Sequence, residues 1–188
     1  TTYLEMTWRA PAAPEEDFFT ITVLDSLLTG PTSLNMFGGG GISNKTSRLY
    51  RALVEKELAV SVNGSLQATI DPYLYGIIVT VRPDSTPEKV LQTIDDEIAR
   101  LLDGPVSQEE IDRAAKQARA MFVYGSENIT NQGFWLGYSE MFADYSWFLN
   151  YVENLEKVTP EKLLASARKY LSPQRRVIGI YRPEETLS

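Results

Sequence analysis

The sequence of 188 residues contains no cysteine and no histidine. Without cysteine there is no disulfide framework, no thiolate nucleophile and no thiolate-bound zinc. Without histidine, a Ser-His-Asp triad, a Cys-His pair and imidazole-bound zinc are also excluded. Catalysis by this chain alone would have to use carboxylates, lysine, tyrosine or backbone dipoles. Cysteine-free composition suits reducing and oxidising compartments equally, so bacterial cytoplasm, periplasm and organelle matrix all remain open.

The chain also lacks an excess of positive charge and any long apolar run. It carries 25 acidic and 18 basic residues, a net charge of −7, without a lysine–arginine cluster in the sequence, which disfavours nucleic-acid binding. Its apolar runs are too short to span a bilayer, and no signal-peptide pattern opens the chain. A hydrophobic content of 43% fits one domain over residues 1–188. Because the chain begins at Thr1 rather than Met, we expect a piece of a longer protein.

Hydrophobic periodicity and turn residues predict an order of strands and helices. Three helix starts are clear: Thr86 and Thr159 each precede a proline and a glutamate, and Ser107 to Glu110 matches a capping box. The predicted order is a strand over 3–9, a helix over 17–28 (with a strand as the alternative), a helix over 43–56, strands over 60–70 and 73–82, helices from 86 and 107, an aromatic-rich helical stretch over 130–157, a helix from 159 and a strand over 175–181.

This order predicts an α+β fold, with a mostly antiparallel sheet of about four strands and helices packed on one face. No linker or low-complexity segment divides the chain, so we expect a single α+β domain. The nearly continuous apolar run over 75–81 favours a central strand.

Four consecutive glycines, Gly38 to Gly41, precede the predicted helix over 43–56. The stretch from Gly39 to Thr46 resembles a phosphate-binding P-loop, but Asn44 replaces the glycine before Lys45 and no buried strand comes directly before it. Nucleotide binding is therefore disfavoured. Two interpretations remain open on residue types alone: a tight connection between helices, or a loop that lets a peptide backbone approach closely.

The sequence after the glycines resembles a segment of pitrilysin/insulinase-like zinc metallopeptidases, the family of the mitochondrial processing peptidase and its non-catalytic relatives. Typical members have a glycine-rich loop, then Ser-Arg-Leu-Phe/Tyr, an Arg-Glu-Lys-like turn and Leu-Ala-Tyr-Ser-Val. The matching residues here are Gly38 to Gly41, Ser47 to Tyr50, Glu55 and Lys56, and Leu58 to Val62. The order of the other segments resembles the family along the whole chain.

The resemblance implies the fold of a metallopeptidase half-domain, of the LuxS/processing-peptidase-like type. In such proteins two α+β domains form a half, and two halves enclose a chamber. The active first domain carries His-x-x-Glu-His and a distant glutamate around zinc. Since this chain has no histidine, it resembles the second, C-terminal domain of a longer two-domain subunit. We expect no cofactor in this chain, zinc in a partner domain or subunit, and oligomeric assembly.

In some family members an arginine and a tyrosine from the opposite half steady the transition-state oxygen. These positions align with Val54 and Val60, neither of which can donate a hydrogen bond. Nearby Tyr50 and Arg51 are outside the motif positions. We therefore expect no catalytic residue and no metal ligand in this chain, and no activity from it alone.

The candidate peptide-binding residues are Gly38, Gly39, Gly40, Gly41 and Arg48. Arg48 has an alternative role, since it could pair with a neighbouring acid and hold the loop. An aromatic group could line a chamber, but its helical spacing favours core packing; it comprises Phe134, Trp135, Tyr138, Phe142, Tyr145, Trp147, Phe148 and Tyr151.

Two functions follow as hypotheses. The first is a non-catalytic domain of a zinc metalloendopeptidase that shapes the peptide chamber and supports the zinc-bearing domain. The second is a structural subunit of the same fold, like the core proteins of respiratory complexes, without a peptidase role.

Overall fold

A computed structural model of the chain describes residues 1–31 and 45–183. This part of the chain forms one α+β unit built from strands β1–β4 and helices α1–α7. In chain order these are β1 (Thr2–Arg9), α1 (Glu16–Leu28), β2 (Ala59–Leu66), β3 (Leu74–Val81), α2 (Pro87–Asp103), α3 (Gln108–Gly125), α4 (Ile129–Ser139), α5 (Tyr145–Leu149), α6 (Tyr151–Glu156), α7 (Pro160–Tyr170) and β4 (Arg176–Tyr181). A π-helical turn, Tyr50–Val54, precedes β2, and a 3₁₀ turn, Pro173–Arg175, precedes β4.

The four strands form one antiparallel sheet in the order β2-β3-β1-β4. The predicted α+β class and four-stranded sheet are confirmed, and β3 is a central strand as its apolar run indicated. The segment over 17–28 is helical because its apolar residues pack on the sheet and on other helices at once. Burial on nearly all sides overrides the strand preference of its β-branched residues.

Within the described residues, the helices cover one face of the sheet and leave the other exposed. Alternate residues of β1, namely Leu4, Met6 and Trp8, are buried against them. On the opposite face Tyr3, Ile78 and Val177 are exposed. The sheet therefore has one face in the core and one open face.

Local hydrogen bonds start three of the helices where the sequence predicted. The side chain of Thr86 accepts a hydrogen bond from the Lys89 N–H (3.3 Å), and that of Thr159 accepts one from Lys162 (3.4 Å). Ser107 accepts one from the Glu110 N–H (3.2 Å). These oxygens satisfy backbone donors that have no partner within their helices.

The aromatic stretch over 130–157 is helical as predicted, and it consists of three helices, α4, α5 and α6. Asp144 caps α5 by accepting a hydrogen bond from the Ser146 N–H (2.7 Å), and Glu140 accepts one from the Tyr145 N–H (2.7 Å). Asn150 then separates α5 from α6 with a backbone outside the helical region. Short polar side chains thus compete with the helix for its backbone donors.

Most of the aromatic group belongs to the core, as its spacing favoured. Trp147 packs against Phe18 and Phe19 of α1, with ring centroids 5.8 Å apart in both pairs. Its indole N–H donates to the carbonyl of Ala13 (2.8 Å), which satisfies the buried polar group. Trp135, Phe142, Phe148 and Tyr151 are also buried, and Phe134 and Tyr138 are partly buried against the core. Tyr145 differs, because 56% of it is exposed.

Within the described part of the chain, no helix combines the length and apolar content needed to cross a bilayer.

Candidate functional site

The candidate peptide-binding glycines, Gly38 to Gly41, lie outside the described residues. The described chain approaches them from the end of α1 and resumes at Lys45, shortly before Arg48. The described residues nearest to the glycines in sequence are the end of α1, the segment from Lys45 and the strand β2 that follows it.

Arg48 is held by Glu110 of α3 through a two-pronged ion pair. Its Nε donates to Oε1 (2.9 Å) and its Nη2 donates to Oε2 (3.0 Å), and about a fifth of each side chain is exposed. This pairing agrees with the alternative that Arg48 holds its loop against a neighbouring acid. The guanidinium carries further N–H donors, so contact with a peptide stays a prediction.

The same pair changes the expected capping box of α3. Ser107 caps the helix, but the Glu110 carboxylate pairs with Arg48 instead of returning to the cap. Glu110 thereby links the segment after the glycines to α3, across 62 positions of sequence. A charge-assisted pair of this geometry is among the stronger polar contacts.

The two positions that align with the assisting arginine and tyrosine have separate surroundings. Val54 ends the π-helical turn and packs, half-buried, against the core. Val60 lies at an irregularity in the pairing of β2 with β3, and 59% of it is exposed. Bulges of this kind turn side chains away from the regular strand pattern. Both side chains are apolar, so neither can donate a hydrogen bond to a reacting oxygen.

The hydrogen-bond donors nearest to Val54 in sequence, Tyr50 and Arg51, differ from each other in burial. Tyr50 is partly buried against the core, whereas Arg51 is exposed.

A buried acid, which sequence reasoning missed, lies near the end of α1. Asp25 is 1% exposed, and its Oδ1 accepts hydrogen bonds from the hydroxyls of Thr29 (2.7 Å) and Tyr75 (2.9 Å). The pKa of Tyr75 is raised well above its ordinary value, mainly because the side chain is buried and secondly because of the negative charge of Asp25. Tyr75 therefore stays a protonated donor to Asp25.

Gly64 of β2 makes room for this acid. A Cβ at Gly64 would lie 1.7 Å from Oδ1 of Asp25 and 2.6 Å from Oγ1 of Thr29, closer than atoms can approach. One sequence signal could have found the group: an aspartate within the apolar run of α1, followed four residues later by Thr29. We assign it a structural role, since it joins α1 to β2 and β3.

The described residues do not fit a zinc site. The sequence has neither histidine nor cysteine, and residues 1–31 and 45–183 contain no group of three acidic side chains placed to hold a metal ion. The family's zinc-binding donor set is therefore missing from this part of the chain.

Solved structures share this fold over nearly the whole chain. One is the inactive peptidase domain of a Bordetella parapertussis protein that is named as a putative zinc protease. It has a TM-score of 0.84 at 24% identity, and the match covers 100% of this chain and 94% of that one. A Bordetella pertussis protein, also named as a putative zinc protease, has a TM-score of 0.80 at 25% identity. That match covers 98% of this chain and 95% of the other.

Other solved structures contain the fold as part of a longer chain. A protease from Helicobacter pylori gives a TM-score of 0.82 at 18% identity, covering 97% of this chain but only 41% of that protease. A chain of complex III from Candida albicans gives 0.71 at 12% identity, covering 95% and 42%. No curated protein matches the sequence significantly.

The family described as the peptidase M16 inactive domain matches residues 1–118, more than half of the chain. By this match, and in agreement with its four-stranded fold and its lack of histidine and cysteine, the chain belongs to the inactive-domain family of M16 peptidases.

Proposed function

We propose that this chain is the second domain of a zinc-dependent metalloendopeptidase subunit, where it supports the zinc-bearing domain and shapes the peptide chamber. Family membership makes the chain an inactive peptidase domain. The hydrolysis itself is assigned to the partner domain or subunit, which supplies zinc and the base that activates water.

The observation that carries this proposal is the open face of the sheet. Exposed apolar side chains from three adjacent strands share it: Tyr3, Leu74, Ile78, Val177 and Tyr181. The rings of Tyr3 and Tyr181 lie 6.1 Å apart across β1 and β4. Clustered apolar groups of this kind mark surfaces that another protein covers.

The partner proposed for this face is the zinc-bearing domain. This chain spans 41% of the similar Helicobacter pylori protease, which leaves ample chain in such proteins for a second domain. A domain interface that buries the apolar face would hold the two domains together.

The test is association of the chain with its zinc-bearing partner, measured by co-purification and by titration calorimetry. Val177 is 70% exposed on the open face, and Val177→Lys should weaken association by about tenfold or more because it places a charge in an apolar interface. Ile129, at 85% exposure on α4, provides the control, and Ile129→Lys should leave association unchanged. Equal association of both variants would contradict the assignment of this face.

A peptide-contacting role for Gly38 to Gly41 and Arg48 belongs to the same proposal. Glycine permits close backbone approach, and the Arg48 guanidinium has more N–H donors than the two that Glu110 accepts from. Replacing Gly39 to Gly41 with alanine should weaken peptide capture by the assembled peptidase while its assembly persists. Unchanged capture would remove these residues from the peptide path.

The alternative is a structural subunit without a peptidase role. The similarity to a chain of complex III favours it only at the level of the fold. The glycine replacements separate the two hypotheses, because a purely structural subunit has no peptide capture to lose.

A further inference from the structure

A cleft between the π-helical turn and α2 gathers positive charge on an otherwise acidic chain. It has a volume of about 420 Å³. The side chains that line it are four cations, Arg48, Arg51, Lys56 and Arg100, one carboxylate, Glu97, and the small residues Ala52 and Thr93. The chain as a whole has 25 acidic and 18 basic residues, so the charge of the cleft opposes that of the molecule.

Two of the four cations already have acidic partners. Arg48 pairs with Glu110, and Arg100 pairs with Glu97. Arg51 and Lys56 are exposed, and neither makes an ion pair within the described residues. Among the described residues, two positive charges in the cleft are therefore without an acidic partner.

The backbone that carries these two cations is fixed by hydrogen bonds. The Arg51 N–H donates to the carbonyl of Ser47 (3.2 Å) at the start of the turn. At its end, the N–H groups of Glu57 and Leu58 donate to the carbonyls of Val54 (3.1 Å) and Leu53 (2.8 Å). Glu57 adopts a left-handed backbone with φ of 58°, as in a Schellman helix end. Arg51 and Lys56 thus project from an ordered turn.

We propose that this cleft binds an acidic segment of a polypeptide, with Arg51 and Lys56 pairing with its carboxylates. An arginine fork matches a carboxylate, and lysine adds a point charge. The volume falls within the range of ligand sites. The proposal rests on the proposed function, which makes a polypeptide the expected class of ligand.

The cleft also has acceptors for peptide N–H groups. Thr93 donates its hydroxyl hydrogen to the carbonyl of Lys89 (2.8 Å), which leaves its oxygen lone pairs available. The carboxylate of Glu97 is a second acceptor in the same cleft. A peptide backbone offers N–H groups to these acceptors while its acidic side chains meet the cations, so the mixture suits an acidic peptide.

The test uses the whole chain and a fluorescently labelled hexaglutamate peptide, with binding measured by anisotropy at low salt. The unmodified chain should bind hexaglutamate in preference to hexalysine, and added salt should weaken the binding. In the double variant Arg51→Glu/Lys56→Glu the affinity should fall about tenfold or more, because two attractions become repulsions. The milder Arg51→Gln/Lys56→Gln should give a smaller loss.

A matched control changes the net charge equally elsewhere. The control uses two exposed arginines, Arg9 and Arg175. They lie at the opposite end of the sheet from Ala59, the first residue of β2, which follows Lys56 closely in sequence. Neither has an ion pair in the described residues. Arg9→Glu/Arg175→Glu should reduce affinity about twofold at most, through long-range charge alone. Equal losses in both reversal variants, or no hexaglutamate binding by the unmodified chain, would overturn the proposal.

Two further measurements separate this proposal from its alternatives. If inorganic phosphate binds the cleft more tightly than hexaglutamate and displaces it, the polypeptide assignment is wrong. Arg51→Glu/Lys56→Glu should keep the melting temperature of the parent chain and its association with the zinc-bearing domain. If this variant loses hexaglutamate binding but still associates with the zinc-bearing domain, the result supports peptide binding by the cleft. If the unmodified chain does not associate with that domain, the proposed function is contradicted. The hexaglutamate measurement then still decides whether the cleft binds acidic peptides.

Discussion

At the scale of single residues, the carboxyl group of Asp25 is buried and closely surrounded. It lies among Thr29, Tyr75 and Gly64, three residues from three different elements or their ends. A buried carboxyl group is tolerated only when hydrogen bonds replace its hydration, and these hydroxyls supply them. The missing side chain of Gly64 is what allows β2 to pass so close.

Gly64→Ala should therefore destabilise the fold strongly. The added Cβ would overlap Oδ1 of Asp25 at 1.7 Å, and moving the acid would break its bonds with Thr29 and Tyr75. We expect the free energy of unfolding to fall by about 3 kcal/mol, measured by urea denaturation.

Gly76 on β3 provides the matched control for this prediction. A Cβ at Gly76 would meet nothing closer than Cγ2 of Thr7 at 3.6 Å, which is ordinary contact. Gly76→Ala should change the free energy of unfolding by less than about 1 kcal/mol. If both alanine variants were equally stable, the close approach at Gly64 would have no energetic consequence.

At the scale of elements, Asp17 joins the start of α1 to α7. Ser166 (3.0 Å), Lys169 (2.6 Å) and Tyr170 (2.9 Å) all donate to its carboxylate. Partial burial by itself raises the pKa of Asp17, but the hydrogen bonds from Lys169, Tyr170 and Ser166 outweigh it and lower the pKa below 3.8. The start of α1 also favours negative charge.

This junction should make stability depend on pH in the acid range. Because folding lowers the pKa of Asp17, its contribution is complete above the unfolded pKa of 3.8 and is lost as the pH falls through the folded value. Solvent screening limits it to about 0.5–1 kcal/mol. The stability difference between the parent chain and Asp17→Asn, followed by urea denaturation, should therefore shrink below about pH 4.

Tyr170→Phe tests the cause of that effect. It removes one donor and keeps the charge of Asp17, so its pH dependence should lie between those of the parent chain and Asp17→Asn. A difference between parent and Asp17→Asn that stays constant down to pH 2 would contradict the role given to the carboxylate.

At the scale of the whole molecule, the chain should have no zinc chemistry of its own. The sequence contains no histidine or cysteine, and the described residues have no acidic cluster able to replace them. After dialysis we expect no stoichiometric zinc by elemental analysis and no peptide hydrolysis by the chain alone. Retained zinc, or peptidase activity that survives inactivation of a co-purifying partner, would contradict this prediction.

The sequence by itself determined the order and type of most elements. Signals for strands and caps act within a few residues, so the alternation at Tyr3 to Arg9 and the caps at Thr86, Ser107 and Thr159 could be identified without contacts. The absence of histidine and the motif from Ser47 to Val62 also indicated an inactive metallopeptidase domain, which the family match confirms.

Only the tertiary structure decided which distant side chains meet. Glu110 looked like half of a capping box, yet its carboxylate pairs with Arg48, and the cations of the cleft come from segments that are separate in sequence. Asp25, Gly64 and Tyr75 likewise meet only after α1 packs on β2 and β3. Local pattern depends on backbone hydrogen bonding and periodicity, whereas such pairings depend on chain packing, which no short stretch of sequence encodes.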